Sequence, residues 1–375
     1  MMDALEEIVA SCGRTSVAED VAAWKARTGG KAVGCFPVGV PEEILHAAGV
    51  LPVGITGGAV TTQRADSGVP TFTCSLARGT IERGLDGDLS ILDGMIFPDA
   101  CDVARNLEGI WRENSPGRIS EVVRLPRNPQ SKHAHAFLES EFERLRTTVG
   151  EMSGRDAKDK DLRSSIQAYN RNRALIRELS RIRGEQPWRL RATESFLLVR
   201  AGRSVPVEEH NALLESAARA IEMSGRRRRD GVRVVIEGAP CEPPPAGLIE
   251  TLEEAGCLVV EDDFLAGRRR FGADVEATGS PLSALVRAVL RDVPPSGPRR
   301  AEGLIEKVRR TGARGVVFCV AKFCEPELLD LPLLRAAVER GRIPHLTFEV
   351  DGGMGVFESV REQVEAFVEP PVFFP

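Results

Sequence analysis

Hydrophobic and polar positions alternate along this chain in two distinct patterns. Short apolar runs, such as residues 91–97 and 315–320, are followed by polar loops and then by stretches with helical periodicity. Apolar runs of this length indicate buried strands, and repeated strand–helix–strand spacing indicates parallel sheets. A long middle stretch shows only the 3.6-residue period of helices. It consists of residues 134–149, 162–183, 189–200 and 207–223.

These patterns predict an α/β protein with two Rossmann-like parallel-sheet units joined by a helical segment. We expect an N-terminal α/β unit with a helical lead-in at 1–130, the helical segment at 131–230, and a C-terminal α/β unit at 231–375. In open α/β sheets, ligands bind at the carboxyl ends of the strands. The loops that follow the predicted strands are therefore the places to look for a site.

Four of the eight cysteines fall in such strand-to-helix loops: Cys74, Cys101, Cys241 and Cys324. A helix N-terminus stabilises a thiolate, so these positions suit thiolate chemistry. The chain has no C-x-x-C pair and only five histidines, which disfavours a zinc ribbon and a thiol hydrolase. Three interpretations stay open at this point: core cysteines, a nucleophile, and a cluster held by single thiolates from separate loops.

Composition excludes several classes of partner. A net charge of −5 gives no electrostatic footprint for nucleic acid or an anionic membrane. No apolar run approaches the roughly 20 residues that span a bilayer, and the acidic N-terminus lacks the basic region of a signal peptide. We therefore expect a cytoplasmic protein. Neither a P-loop nor a G-x-G-x-x-G motif follows a strand, so any nucleotide is expected to bind a different chain.

Five segments resemble the blocks of a known family in the same order. They are GCFPVGVPEEILHAAGVLPVGITGG at 34–58, FTCSLARGTIERGL at 72–85, DGMIFPDACDVARNLEGIW at 93–111, IEGAPCEPPPAGLIETLEEAGCLVVEDD at 236–263 and FCEPELLDLPLL at 323–334. The family is that of the 2-hydroxyacyl-CoA dehydratases and benzoyl-CoA reductases. Within it, CDVARNLEGIW, PVEEHN at 206–211 and GAPCEPPP are most similar to the smaller cluster-bearing subunit, the C-type one, of ATP-dependent benzoyl-CoA reductase.

The resemblance implies a [4Fe–4S] cluster with three thiolate ligands, which fall on Cys74, Cys101 and Cys324. Their sulfurs are then expected to lie close together. Cys241 would line the substrate cavity or approach the cluster, although an ordinary turn cysteine fits its position equally well. The resemblance also implies a homologous second cluster-bearing subunit. A separate ATPase activator with its own [4Fe–4S] cluster would donate the electrons.

Two further residues are candidates for catalysis. Glu43 matches the glutamate of the family's PEEI segment, which implies a place in the substrate pocket or at a contact between subunits. A carboxylate early in a helix would equally serve to complement the helix dipole. His210 is a candidate proton donor, because ring reduction needs protons as well as electrons. Its polar surroundings in the sequence make a surface position the alternative expectation.

The activity implied by the resemblance is oxygen-sensitive reduction of an aromatic CoA thioester to a cyclic dienoyl-CoA, with low-potential electrons from the activator. One alternative is a subunit of a 2-hydroxyacyl-CoA dehydratase, which removes water from a 2-hydroxyacyl-CoA and recycles its electron. Another is a non-catalytic cluster-bearing partner, in which the substrate binds only to the other subunit.

Overall fold

The computed structural model describes residues 3–12, 16–37, 39–58, 61–115, 117–239, 244–263, 272–276, 278–292 and 296–369. The strands in these ranges are β1 Ala32–Cys35, β2 Leu51–Gly54, β3 Gly94–Pro98, β4 Ile119–Val123, β5 Val232–Gly238, β6 Cys257–Asp262, β7 Gly315–Ala321 and β8 His345–Val350. The helices are α1 Ala4–Ser11, α2 Val17–Thr28, α3 Glu42–Ala47, α4 Ser75–Leu85, α5 Asp102–Asn114, α6 Ala134–Ser153, α7 Asp159–Glu185, α8 Ala192–Ala201, α9 Val207–Met223, α10 Ala246–Glu254, α11 Pro281–Asp292, α12 Pro298–Thr311, α13 Glu325–Arg340 and α14 Glu358–Val368.

The strands form two separate four-stranded sheets with the same topology. The first has the order β2-β1-β3-β4 and the second the order β6-β5-β7-β8. All the strand pairs within them are parallel. The predicted α/β class with two parallel-sheet units is therefore confirmed. Because the orders correspond strand for strand, β3 in the first sheet and β7 in the second occupy equivalent places.

The central strands are buried because their sequences are apolar on both faces. Each residue of β3, GMIFP, and of β7, GVVFCVA, is buried, as expected for parallel strands covered by helices on both sides. In the described ranges, none of the helices combines the length and the apolar character that crossing a bilayer requires.

The middle of the chain, from α6 to α9, is helical, as its periodicity predicts. Helix α6 packs against α3, β4 and α11, whereas α7 packs against α3, α9 and β6. These helices therefore cover parts of both sheets and leave the carboxyl edge of the first sheet bordered by α7 and by the loop between α8 and α9.

Each of two hydrophobic cores combines residues from the beginning of the chain with residues from its later part. Leu5 of α1 belongs to the core that contains Leu179 and Val232, next to the second sheet. Leu285 of α11 belongs to the core that contains Val33, next to the first sheet. The division into ranges 1–130, 131–230 and 231–375 stays a prediction, and the packed cores draw residues from across those limits.

Candidate functional site

Two cysteines occupy equivalent positions in the two units. Cys101 follows β3 and is the N-cap of α5, and Cys324 follows β7 and is the N-cap of α13. The Sγ of Cys101 accepts a hydrogen bond from the backbone N–H of Ala104 at 3.4 Å. Both cysteines thus lie where the apolar runs and the helical periodicity predict, at the positive end of a helix.

The structure brings Cys101 and Cys324 close enough to interact electrostatically. Burial raises the pKa of the Cys101 thiol, and the negative charges of Cys324 and Glu325 add to that rise. Phe323, immediately before Cys324, has a φ of 61° in the left-handed region. For a bulky side chain this conformation costs on the order of 1–3 kcal/mol and is typical of functional sites.

Cys74 lies where the first unit contacts the second, and the region of Cys74, Cys101 and Cys324 is called the cysteine seam below. It is the N-cap of α4. The next residue, Ser75, accepts a hydrogen bond through Oγ from the backbone N–H of Gly352 at 3.1 Å. Gly352 follows β8, which pairs with the strand that leads to Cys324. The loop of Cys74 therefore contacts the carboxyl edge of the second sheet.

Binding of one cluster by the three thiols stays a prediction. Among the described residues, no three His, Cys, Asp or Glu side chains converge as the ligands of one ion would. Ligands of one ion meet at one atom, whereas the thiolates of a cubane bind separate irons. Three thiols at three helix N-termini are a fitting donor set, because the positive helix ends favour thiolates. Cys241, the fourth loop cysteine, lies outside the described residues.

A cavity of about 230 Å³ lies at the carboxyl edge of the first sheet. Phe36 after β1, Gly54 at the end of β2 and Leu125 after β4 form one side of it. Residues of α3, α7, α9 and α11 form the other side, and most of the lining side chains are apolar. Cys101 follows β3 at this same edge, so the cavity and the cysteine seam lie at one end of the sheet.

Glu43 lines this cavity and is neutralised there. It lies in the first turn of α3, is buried, and forms an ion pair and hydrogen bond with Arg173 of α7. Arg173 also donates a hydrogen bond to Asn170 Oδ1 at 2.9 Å. Burial raises the pKa of Tyr169, the chain's one tyrosine, well above its usual range, and the charge of Glu43 raises it further. The Tyr169 hydroxyl therefore stays protonated.

His210 is buried in the cavity wall, so the expectation of a surface position is wrong. Its Nδ1 accepts a hydrogen bond from Asn172 Nδ2 at 2.9 Å, and its Nε2–H donates to the Leu198 carbonyl at 3.0 Å. Burial lowers its pKa to about 4, so the imidazole is neutral at pH 7. Both ring nitrogens are engaged within the protein.

Arg203 is a further charged residue of the cavity, and the sequence gives no signal for it. It lies in the loop between α8 and α9, where neither periodicity nor a motif marks it, and its exposed fraction is 9%. Burial, with a smaller contribution from the charge of Arg200, lowers its pKa to about 10, so it remains positively charged at pH 7. Among the described residues, its guanidinium group has no hydrogen-bond or ion-pair partner.

Fold and site together define an α/β protein with two parallel sheets, a cysteine seam between them and a small cavity beside it. The sequence model of the family described as "2-hydroxyglutaryl-CoA dehydratase, D-component" matches residues 37–370. The chain belongs to this family.

Characterised relatives of the chain are subunits of CoA-thioester enzymes. It is 35% identical over 356 residues to the C-type subunit of benzoyl-CoA reductase from Thauera aromatica, a match that covers 92% of each chain. It is 31% identical to lactoyl-CoA dehydratase subunit beta of Anaerotignum propionicum, over 92% of this chain and 93% of the relative. It is 27% identical to the beta subunit of (R)-2-hydroxyglutaryl-CoA dehydratase of Acidaminococcus fermentans, over 93% and 94%.

Proposed function

We propose that the chain is a cluster-bearing subunit of an oxygen-sensitive benzoyl-CoA reductase that removes the aromaticity of its substrate. In this proposal an ATP-driven activator with its own [4Fe–4S] cluster supplies low-potential electrons, and an aromatic CoA thioester is reduced to a cyclic dienoyl-CoA. The observation that carries the proposal is that Cys101 and Cys324 are helix N-caps at the ends of equivalent strands of the two units, and that their charges interact. Similarity to a subunit of benzoyl-CoA reductase supports the choice of reaction.

Cys74, Cys101 and Cys324 would hold a [4Fe–4S] cluster, which supplies one-electron transfer at low potential when bound. The N-termini of α4, α5 and α13 would stabilise the three thiolates. Apolar side chains around the seam, such as those packed with Cys74 and Cys101 in one core, would exclude water.

The cluster assignment is tested by the iron content of single variants purified without oxygen. Cys74→Ala, Cys101→Ala and Cys324→Ala should each lose bound iron and the brown iron–sulfur absorbance. Cys319→Ala is the matched control, because Cys319 lies buried inside β7 rather than in the loop that follows it, and it should keep both. Full iron content in any of the first three variants would rule that residue out as a ligand.

For the two catalytic candidates, the contacts indicate different roles. Glu43 would fix the position of Arg173 in the cavity wall through their ion pair. His210 could supply a proton only after its Nε2–H leaves the Leu198 carbonyl. Comparing His210→Gln with wild type separates these cases: a proton donor changes kcat for the reduction and leaves KM unchanged, whereas a wall residue changes stability first.

A homologous second subunit would bind at an apolar surface next to the cysteines. Phe72, two residues before Cys74, and Leu329, in the second turn of α13 after Cys324, are each 70% exposed. Phe323 and Leu328 nearby are also exposed. Exposed apolar groups gathered in this way are typical of contacts between subunits. Leu329→Glu should therefore prevent co-purification with the sister subunit while leaving this chain folded.

Similarity to the lactoyl-CoA dehydratase beta subunit favours a second candidate, a 2-hydroxyacyl-CoA dehydratase subunit. One assay of the reconstituted complex separates the two reactions. A reductase consumes reductant in proportion to product when supplied with benzoyl-CoA, ATP and a strong reductant. A dehydratase needs only catalytic amounts of reductant and acts on a 2-hydroxyacyl-CoA. Product formed from benzoyl-CoA without net consumption of reductant would contradict the primary proposal.

A further inference from the structure

The cavity at the edge of the first sheet contains a positive charge that the described structure does not neutralise. Its other charged groups have partners: Glu43 pairs with Arg173, Asp292 pairs with Arg291 at 2.8 Å, and Glu42 also interacts with another residue. Arg203 has no such partner among the described residues, although it is nine-tenths buried. A buried charge without a partner is strongly unfavourable, so this position is expected to receive a counter-charge from a ligand.

The geometry around Arg203 keeps its side chain in the cavity. Gly54, the last residue of β2, donates a backbone hydrogen bond to the Arg203 carbonyl at 2.8 Å. A Cβ on Gly54 would lie only 3.1 Å from Arg203 Cγ, so the glycine leaves room for the arginine stem. The sheet edge therefore fixes both the backbone and the side chain of Arg203.

The available donors identify the chemistry of the ligand. A guanidinium group presents a planar fork of N–H donors that matches the two oxygens of a carboxylate. Tyr169 also lines the cavity, and its hydroxyl has no hydrogen-bond partner among the described residues. Two donors and a full positive charge favour a ligand whose polar end is a carboxyl group.

The volume of the cavity and its apolar lining indicate what the non-polar part of the ligand is. An apolar cavity of about 150 Å³ is enough to bind benzene, and this cavity measures about 230 Å³. The remaining space is that of one small polar group. Phe36, Ile55, Val207 and Leu285 supply apolar walls for a ring.

We propose that this cavity binds a six-membered-ring carboxyl compound, with the ring against the apolar walls and the oxygens on Arg203 and Tyr169. The compound is a free ring carboxylate, because a thioester has a single neutral acyl oxygen and brings no counter-charge to Arg203. Binding of this carboxylate does not rest on the proposed function, since it requires neither a cluster nor a reaction.

Calorimetric titration of the full chain, purified without oxygen, tests the inference. Benzoate should bind the wild-type chain, and benzamide, which has the same shape but no charge, should bind at least tenfold more weakly. Binding of benzoate with this preference supports the proposal. Absence of benzoate binding overturns it, and so does inorganic phosphate binding as tightly as benzoate.

Substitutions of Arg203 separate ligand binding from folding. Arg203→Met should weaken benzoate binding at least tenfold, while the ligand-free variant melts at the same or a higher temperature than wild type because an unpaired buried charge is gone. Arg203→Lys keeps the charge without the fork and should bind with intermediate affinity. The exposed Arg219→Met should bind benzoate as wild type does. A lowered melting temperature for ligand-free Arg203→Met would show a structural arginine and overturn the proposal.

The two proposals fail in distinguishable ways. An active complex whose isolated chain does not bind benzoate refutes the cavity assignment alone. A chain that binds benzoate in the Arg203-dependent manner, within a complex that does not reduce benzoyl-CoA, refutes the proposed reaction alone.

Discussion

The two sheets have the same strand order, but the buried arginines beside them, Arg203 and Arg300, have opposite surroundings. At the first sheet, Arg203 lies in a cavity without a partner among the described residues. At the second, the equally buried Arg300 contacts Glu237 at 2.9 Å, Glu327 at 2.9 Å and Asp330 at 3.2 Å. A common topology therefore carries a ligand-sized space in one unit and a closed network of ion pairs in the other. The difference lies in loop and helix side chains, which is where function is added to a shared fold.

The sharpest test of this contrast is to remove the arginine from the closed network. Arg300→Met should destabilise the protein by about 3–5 kcal/mol, because breaking a buried ion pair leaves its carboxylates without that cation. Urea unfolding measures the change. Arg310→Met is the control, since Arg310 pairs with Glu261 but its side chain is 45% exposed, and it should cost at most about 1 kcal/mol. If Arg300→Met and Arg203→Met lowered the free energy of unfolding equally, the two arginines would not differ as proposed.

Lowering the pH should reduce the folding stability of the protein, because His210 in the cavity wall is buried as a neutral imidazole. Its folded-state pKa is lowered from the usual 6.5 to about 4. Between these values the unfolded chain binds a proton that the folded chain does not, so stability is lost as the pH falls. From pH 7 to pH 5 the loss should be about 2 kcal/mol. His210→Gln should lack this component, and the exposed His133→Gln should retain it. Identical pH profiles for wild type and His210→Gln would contradict the burial of a neutral imidazole.

A smaller effect is expected from Gly54→Ala, which should shift Arg203 within the cavity without filling the cavity. Gly54→Ala places a methyl group against the Arg203 stem, which should cost about 1 kcal/mol of stability through local overpacking. Benzoate affinity should fall several-fold as the guanidinium moves. Gly109→Ala is the matched control, because an added Cβ there meets no atom within 4 Å. Unchanged benzoate affinity in Gly54→Ala would show that the position of Arg203 is not set by the sheet edge.

Local sequence patterns were sufficient to place the cysteines. Cys101 and Cys324 each follow an apolar run and precede a helical period, and both are helix N-caps at the ends of equivalent strands. The parallel-sheet class followed from the same alternation. What these patterns could not give is the equivalence of β3 and β7, because strand order depends on long-range pairing that no local window contains.

The cavity was much harder to predict. Its lining comes from residues 35–292, so it exists only after the units and helices pack together. For His210 a signal was present: Val207, His210 and Leu214 share one face of α9 and all are buried. Helical spacing would have placed it inside, whereas composition suggested the surface. For Arg203, in a loop, the sequence holds no comparable signal.

Because each of these cores contains residues that are distant in sequence, the order of synthesis affects when the core can form. Leu5 emerges from the ribosome early, yet its core partner Val232 is made much later. The core around Val33 likewise lacks Leu285 until most of the chain has been translated. Neither core can be completed until these later residues are made, so part of its apolar surface stays exposed during much of translation. A cut between the two sheets would therefore split both cores, and the apolar surface exposed during translation makes such a chain prone to aggregation.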